Sequence, residues 1–299
     1  MESMNAALTT AIDRFTRAHA DADGIARARI PGMALLRATG TRDVKYAIEH
    51  PLLCLVAQGA KHVTMGGRSF TVVAGDSMIV SSNIPTLTRI ISGSQSTPYL
   101  SFSLRLDAAL IADCQAEMSM APGLAHSAAP QGTDDEVYDV ALRMINLHDR
   151  PASLPLLQAS LVREMHHWLL AGHHGEAIAH LGFPDSHTSR IARAIELIRA
   201  EFATAISVER LAAVAGMSPS TFHHHFRAQT SLSPLQFQKQ LRLIEARRLI
   251  LSKGQTSSAA AFTVGYASVQ QFTREYRRLF GQPPVRETKE ARRISVSRA

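Results

Sequence analysis

The chain has 299 residues with 32 Lys+Arg against 25 Asp+Glu, a formal charge of +7, and 45% of its residues are hydrophobic. That length admits one large domain or two ordinary ones, and the apolar fraction excludes a disordered chain. No apolar run approaches the roughly 20 residues that span a bilayer.

The N-terminus, MESMNAALTTAIDRF, lacks a basic region followed by an apolar stretch, which argues against export. The two cysteines, Cys54 and Cys114, are too few for a disulfide framework or a four-cysteine zinc site, so a cytoplasmic protein without membrane contact is expected. The charge is unevenly spread. From Ser186 onward there are 18 Lys+Arg against 7 Asp+Glu, a net +11, which leaves residues 1–185 at −4. A strongly basic end on an acidic body suits a nucleic-acid-binding domain attached to something else.

Residues 4–20 read as a short helix, and from about Ile30 to Asp107 short runs rich in β-branched and aromatic residues predict strands. In YLSFSLRLD, Leu100, Phe102, Leu104 and Leu106 share one face, while Ser101, Ser103 and Arg105 share the other, the alternation of a half-buried strand. Turn signals at Gly66-Gly67, Ala74-Gly75-Asp76 and Asn83-Ile84-Pro85 leave no room for crossover helices. The sheet is therefore expected to be antiparallel, a compact barrel or sandwich.

Helical patterns follow to about Met118, from Asp134 to Leu147 and from Ser153 to Leu170. In the last of these, Leu154, Leu157, Leu161, Met165 and Trp168 form an apolar stripe, which either packs on the barrel or makes a homodimer. Gly172, Gly175, Gly182 and Pro184 then break the pattern. The expected domains are residues 1–183, residues 184–290, and a basic tail at 291–299.

The basic domain contains one unit twice. AGMSPSTFHHHFRAQTSLSP holds Gly216, Phe222, Phe226 and Pro234; VGYASVQQFTREYRRLFGQPP holds Gly265, Phe272, Tyr276 and Pro284. Phe226 to Tyr276 and Pro234 to Pro284 are both 50 residues apart. Each unit reads as a helix, a glycine turn and a second helix; in the first unit Ser218-Pro219 supplies an N-cap and a proline at the first helical position.

On the helix after Ser218, Phe222 and Phe226 lie on the buried stripe. Ser220, His224 and Arg227 point the opposite way, with Thr221 and His223 flanking them. On the corresponding helix of the second unit, Gln270, Thr273, Arg274 and Arg277 face away from Phe272 and Tyr276, beside Val269 and Gln271. Such side chains suit base edges: Gln bonds bidentately to adenine, Arg to guanine, and small hydroxyls to either edge or to phosphate. Between the units, LQFQKQLRLIEARRLIL places Leu235, Leu241, Ile244 and Leu251 on an apolar stripe and carries Lys239 and Arg242, expected at DNA phosphates. A helix of roughly 17 residues is on the order of 25 Å long, enough to hold two recognition helices near successive major-groove faces about 34 Å apart.

At LAAVAGMSPSTFHHHF, SPLQFQKQLRLIEARRLIL and AAFTVGYASVQQFTREYRRLFGQPP the sequence resembles the AraC family of bacterial transcription regulators. The blocks LCLVAQGAKHVTMGGRSFTVVAGDSMIVSS and TPYLSFSLRLDAALIA are similar to its AraC-type N-terminal domains. The resemblance implies an α+β chain: an N-terminal cupin-like antiparallel β-barrel with helices, and a C-terminal all-α domain with two helix-turn-helix units. It further implies promoter DNA and RNA polymerase as partners, a small-molecule effector, activation rather than repression, and no enzymatic role. Matching the family's base-contacting positions selects Ser220, His223 and His224, then Val269, Gln270 and Arg274. Where family members often carry Arg in the first recognition helix, this chain has His224, a weaker and pH-sensitive donor.

The alternative is a small-molecule-binding or enzymatic cupin-like barrel with accessory DNA binding. His62 has no H-x-H partner, so the cupin metal constellation is missing. His223, His224 and His225 diverge by about 100° each on a helix, and no metal or other cofactor is expected. Cys54, inside PLLCLVAQG, reads as a buried thiol. Lys61, Tyr99 and Arg105 are candidates to meet a ligand near the barrel mouth.

Overall fold

The structure, a computed structural model, describes residues 2–41, 45–48, 50–65, 68–80, 85–118, 129–183 and 186–289. The expected Gly66-Gly67 turn, most of the Asn83-Ile84-Pro85 turn, and the 291–299 tail lie outside the described residues. The chain divides into two compact units, Met1–Ser189 and Arg190–Ala299.

The first unit opens with α1 (Glu2–His19), followed by β1 (Ile25–Arg27), β2 (Met33–Ala38), β3 (Lys45–Ile48), β4 (Leu52–Gln58), β5 (Ala60–Met65), β6 (Arg68–Val73), β7 (Asp76–Val80), β8 (Pro85–Ser92) and β9 (Tyr99–Arg105). After α2 (Ala108–Met118) and the short β10 (Gln131–Gly132) come α3 (Asp135–Asn146), α4 (Leu154–Ala171) and α5 (Gly175–Ala179). Strand pairing among the described residues is antiparallel throughout. These strands form two sheets, β1-β2-β9-β4-β7-β10 and β3-β8-β5-β6.

The larger sheet is covered on both faces. One face, through Leu35, Leu53, Leu55, Leu100 and Phe102, packs on Leu8, Ile12 and Phe15 of α1, on Val140 and Met144 of α3, and on Met165 and Leu169 of α4. The other, through Ala38, Val56, Met78, Val80 and Tyr99, meets Val63, Met65, Val72 and Ile90 of the smaller sheet. Helices, large sheet and small sheet therefore stack as three layers. Serine is small enough to sit between sheets, so the Ser101 face of β9, expected to be wet, is buried instead. Arg105, at the strand's end, is exposed.

The apolar stripe of α4 differs from the expected one. Leu154, Leu161, Met165 and Leu169 are buried, whereas Leu157 is 49% and Leu156 78% exposed. Leu154 enters the core from the first residue of the helix, and the stripe resumes at Leu161, so Leu157 falls outside it.

Buried polar groups join these layers. His166 of α4 accepts the Asp107 N–H at Nε2 (2.9 Å) and contacts the Val162 carbonyl through Nδ1 (2.7 Å). That network assigns the proton to Nδ1 and requires a neutral ring. Ser77 Oγ lies 2.8 Å from His174 Nε2. Burial holds both imidazoles below the usual 6.5. The unfolded chain takes up protons near 6.5 that the folded chain resists, so this stability is complete above 6.5 and is lost as the pH falls below it. The thermal midpoint should therefore drop as the pH is lowered from neutral through that value. In His166→Gln the pH slope should be shallower whatever its starting midpoint; an unchanged slope would remove His166 from this account.

The second unit contains α6 from Arg190 onward (α6 spans His187–Ala200), α7 (Val208–Ala215), α8 (Pro219–Thr230), α9 (Pro234–Lys253), α10 (Ser257–Thr263) and α11 (Val269–Phe280). On α9 the side chains of Phe237, Leu243, Ala246, Leu249 and Ile250 are buried, together with Pro234 and Gln238. The expected stripe is off by part of a turn: Leu235 is exposed, and Leu241 and Ile244 are half-buried. Leucine and isoleucine are so dense in this helix that its composition supports more than one stripe. Among the described residues no helix is long and apolar enough to cross a membrane.

Candidate nucleic-acid interface

Both helix-turn-helix units are built by the same local chemistry. Ser207 caps α7 by accepting from the Arg210 N–H, Gly216 ends it at φ 61°, and Ser218 then caps α8 by accepting from the Thr221 N–H. In the second unit Thr256 caps α10, Gly265 turns at φ 87°, and Ser268 caps α11 through the Gln271 N–H. The 50-residue repeat extends to the helix ends: Ser231 after α8 and Gly281 after α11 are both left-handed.

Aromatic packing orients the two helices. Phe222 and Phe226 are fully buried with ring centroids 5.3 Å apart, and Phe226 meets Phe237 of α9 edge-on at 5.5 Å. In the second unit Phe272 and Tyr276 lie 5.4 Å apart, and Tyr276 donates to Glu287 Oε2 at 2.6 Å. With those rings inward, Ser220, Thr221, His223, His224 and Arg227 of α8 are all exposed. On α11, Gln270, Arg274 and Arg277 are exposed, and Val269, Gln271 and Thr273 are half-buried.

Several of these groups already have partners. The Thr221 hydroxyl accepts from Ser218, Thr273 donates to the Val269 carbonyl, and Gln271 Nε2 donates to Glu275 at 3.1 Å. Glu275 is an internal hub that also accepts from Tyr266 at 2.8 Å and from Lys239 at 3.3 Å. Burial pushes its carboxyl up, but the hydrogen bonds from Tyr266, Gln271 and Lys239 outweigh that and hold it below the ordinary value. Among the described residues, Arg227, Arg274 and Arg277 enter no ion pair, so their guanidinium groups stay available.

Arg242, expected at a DNA phosphate, is held in this structure by backbone carbonyls of its own chain. Its Nε donates to the Phe202 carbonyl (2.6 Å), one terminal nitrogen to Gly265 (2.9 Å) and the other to Thr204 (2.9 Å). Gln238, one turn earlier, donates to Phe202 and Thr204 as well. These two side chains fasten α9, the α6–α7 loop and the turn of the second unit to one another. Sequence reasoning missed this clamp; its only trace was an i, i+4 pair of polar residues on the inner side of α9.

In the N-terminal unit, Lys61 and Tyr99 point between the two sheets and Arg105 does not. Among the described residues no three His, Cys, Asp or Glu side chains gather to hold a metal ion.

Two repeated helix-turn-helix units on a shared connector, behind a sheet-and-helix domain, define a helix-turn-helix transcription regulator. Residues 29–177 match the AraC-type transcriptional regulator N-terminus, and residues 211–290 match a helix-turn-helix domain. The chain belongs to the AraC family of transcription regulators. It is 32% identical over 108 residues to the HTH-type transcriptional activator RhaS of Escherichia fergusonii, covering 36% of this chain and 38% of that one. It is 35% identical over 81 residues to the probable transcriptional regulator LumQ of Photobacterium leiognathi, covering 27% and 33%. These matches thus span little more than a third of the curated relatives' length. Over 88% of the chain the fold is similar to a lysine-to-alanine variant of apo ToxT from Vibrio cholerae strain SCE256, with a TM-score of 0.60, 8% identity and 98% of that chain covered. Wild-type ToxT with bound unsaturated fatty acid gives 0.58, 9% identity, and 86% and 93% coverage.

Proposed function

We propose that this chain is a cytoplasmic regulator that binds promoter DNA by placing α8 and α11 in successive major-groove faces. The observation that carries this reading is the duplicated presentation of Ser220, His223, His224 and Arg227, and of Gln270, Arg274 and Arg277, each set backed by two buried aromatics. Thr221, Val269, Gln271 and Thr273 frame the two sets, and Lys239 contributes to phosphate attraction from the connector. The activator named among its relatives supports activation through RNA polymerase. The fatty acid named with wild-type ToxT supports a small-molecule effector in the N-terminal unit, and exposed Leu156 and Leu157 support a homodimer through the start of α4.

The test is a salt-controlled titration of the full chain against its operator, found by genome-wide occupancy mapping. Arg274→Ala should cost about 1 to 3 kcal/mol on the operator and relax specificity at one base pair, with little effect on scrambled duplex. Equal binding of operator and scrambled DNA by the unaltered chain would overturn the reading.

A further inference from the structure

Among the described residues, the interior between the two sheets is largely apolar, with Ser101 and Thr86 as small buried polar groups. Val56, Val63, Met65, Val72, Met78, Val80 and Ile90 line it, and among them sit Lys61, Cys54 and Tyr99. Pairing explains why they meet. Cys54 opposes Ser103 and Val56 opposes Ser101, so Cys54 shares the inner face of the large sheet with Tyr99. Lys61 opposes Ile90 and Val72 on the inner face of the small sheet. Its Nζ crosses the gap and donates to Cys54 Sγ at 2.8 Å.

Two further observations set this cluster apart from ordinary packing. The Tyr99 hydroxyl is fully buried and lacks a well-formed hydrogen bond. Burial, partly offset by the charge of Lys61, pushes it up to about 12, so it remains a proton donor. Solvent also retains a foothold here: Cys54 is 6% and Lys61 8% exposed, whereas Leu53, Leu55 and Val56 beside them are at zero.

We propose that Cys54 and Lys61 form an oxidation-driven covalent site in which a sulfenamide bond joins the two sheets. The oxidant is a peroxide. Hydrogen peroxide transfers one oxygen to Cys54, giving the sulfenic acid and one water; sulfur loses two electrons and the peroxide is reduced. The Lys61 amine, after releasing a proton, attacks Sγ through its nitrogen lone pair. The S–N bond forms as the S–O bond breaks, and the departing hydroxide takes up a proton to leave as water. From the ammonium form the second step yields the bridge, one water and one proton. The proton that the leaving hydroxide takes up comes from the Lys61 nitrogen as the S–N bond forms. A thiol reductant reverses the sequence by attacking sulfur and releasing the amine.

The experiment treats the full-length protein with hydrogen peroxide, then unfolds it, digests it with trypsin and maps it by mass spectrometry. Lys45, Lys61 and Arg68 bound the relevant tryptic peptides. The expected product is a peptide spanning 46–68, uncut after Lys61 and lighter by two hydrogens, which dithiothreitol converts back to a cleavable form. Cys114, buried with no lysine hydrogen-bonded to it among the described residues, serves as the internal control and should form no bridge. Lys61→Arg should stop at a sulfenic acid trapped by dimedone; if that variant fails to fold, the map of the unaltered protein decides. Oxygen added to Cys54 with normal cleavage after Lys61, a bridge that retains oxygen, or an unreacted Cys54 under conditions that oxidise a free cysteine peptide would each overturn the proposal.

Discussion

Gly265→Ala should lower the stability of the C-terminal unit by about 2 to 5 kcal/mol, which combines a backbone cost with a collision. Gly265 turns at φ 87°, a region that costs an alanine on the order of 1 to 2 kcal/mol. A Cβ there would also overlap the carbonyl of Ala203, in the loop that joins α6 to α7. Neither group can yield easily, because that loop is held by Gln238 and Arg242 through the carbonyls on either side, and Arg242 also holds the Gly265 carbonyl itself. Gly281 provides the comparison. It has a similar φ of 83° but nothing within 4 Å of the added carbon, so Gly281→Ala should cost only the backbone part. Urea unfolding followed by helical circular dichroism separates the two: equal losses would show that contact with Ala203 contributes nothing.

The same residues show how much was legible in advance. Turn and cap chemistry is local, so Gly216, Gly265 and Ser218-Pro219 could be read directly, and the 50-residue repeat exposed the second unit from the first. The outward sets on α8 and α11 follow from helical periodicity around paired aromatics, and their members are exposed except for the half-buried Thr273. What alternation could not show was environment. Ser101 and Ser103 looked solvent-facing because they are polar, yet they line a gap between two sheets whose pairing depends on partners far along the chain, such as Cys54 with Ser103.

Arg242 shows a related limit of the sequence. A cation on a basic connector reads as a phosphate contact, while the carbonyls that occupy it lie 40, 38 and 23 residues away. Lys61 and Cys54, only seven residues apart, belong to different strand patterns, and the corner at Gly59 (φ 81°) that folds one strand over the other has no signature in residue polarity.

Arg242→Met separates the clamp from the phosphate contact it resembles. Methionine fills much of the same volume but donates no hydrogen bond, so the Phe202, Thr204 and Gly265 carbonyls lose a charged partner. Hydrogen bonds to charged groups contribute about 1.5 to 3 kcal/mol each. Partial solvation of this site and the Gln238 bonds that remain bring the expected loss to about 2 to 4 kcal/mol for all three. The effect on DNA has a distinct signature. A lost phosphate contact weakens all sequences alike and reduces the slope of log affinity against log salt by about 1. A lost clamp leaves every phosphate contact in place but lets the two units drift, so the second unit no longer binds as the tethered continuation of the first. Operator affinity should then fall by about tenfold or more, binding to a duplex that carries a single half-site should change little, and the salt slope should stay where it was. Lys239→Met, on the same connector but 39% exposed and paired only at 3.3 Å with Glu275, should show the opposite pattern. If Arg242→Met lowers the salt slope and weakens half-site and operator equally, the guanidinium reaches the DNA and the clamp does not set the spacing of the recognition helices.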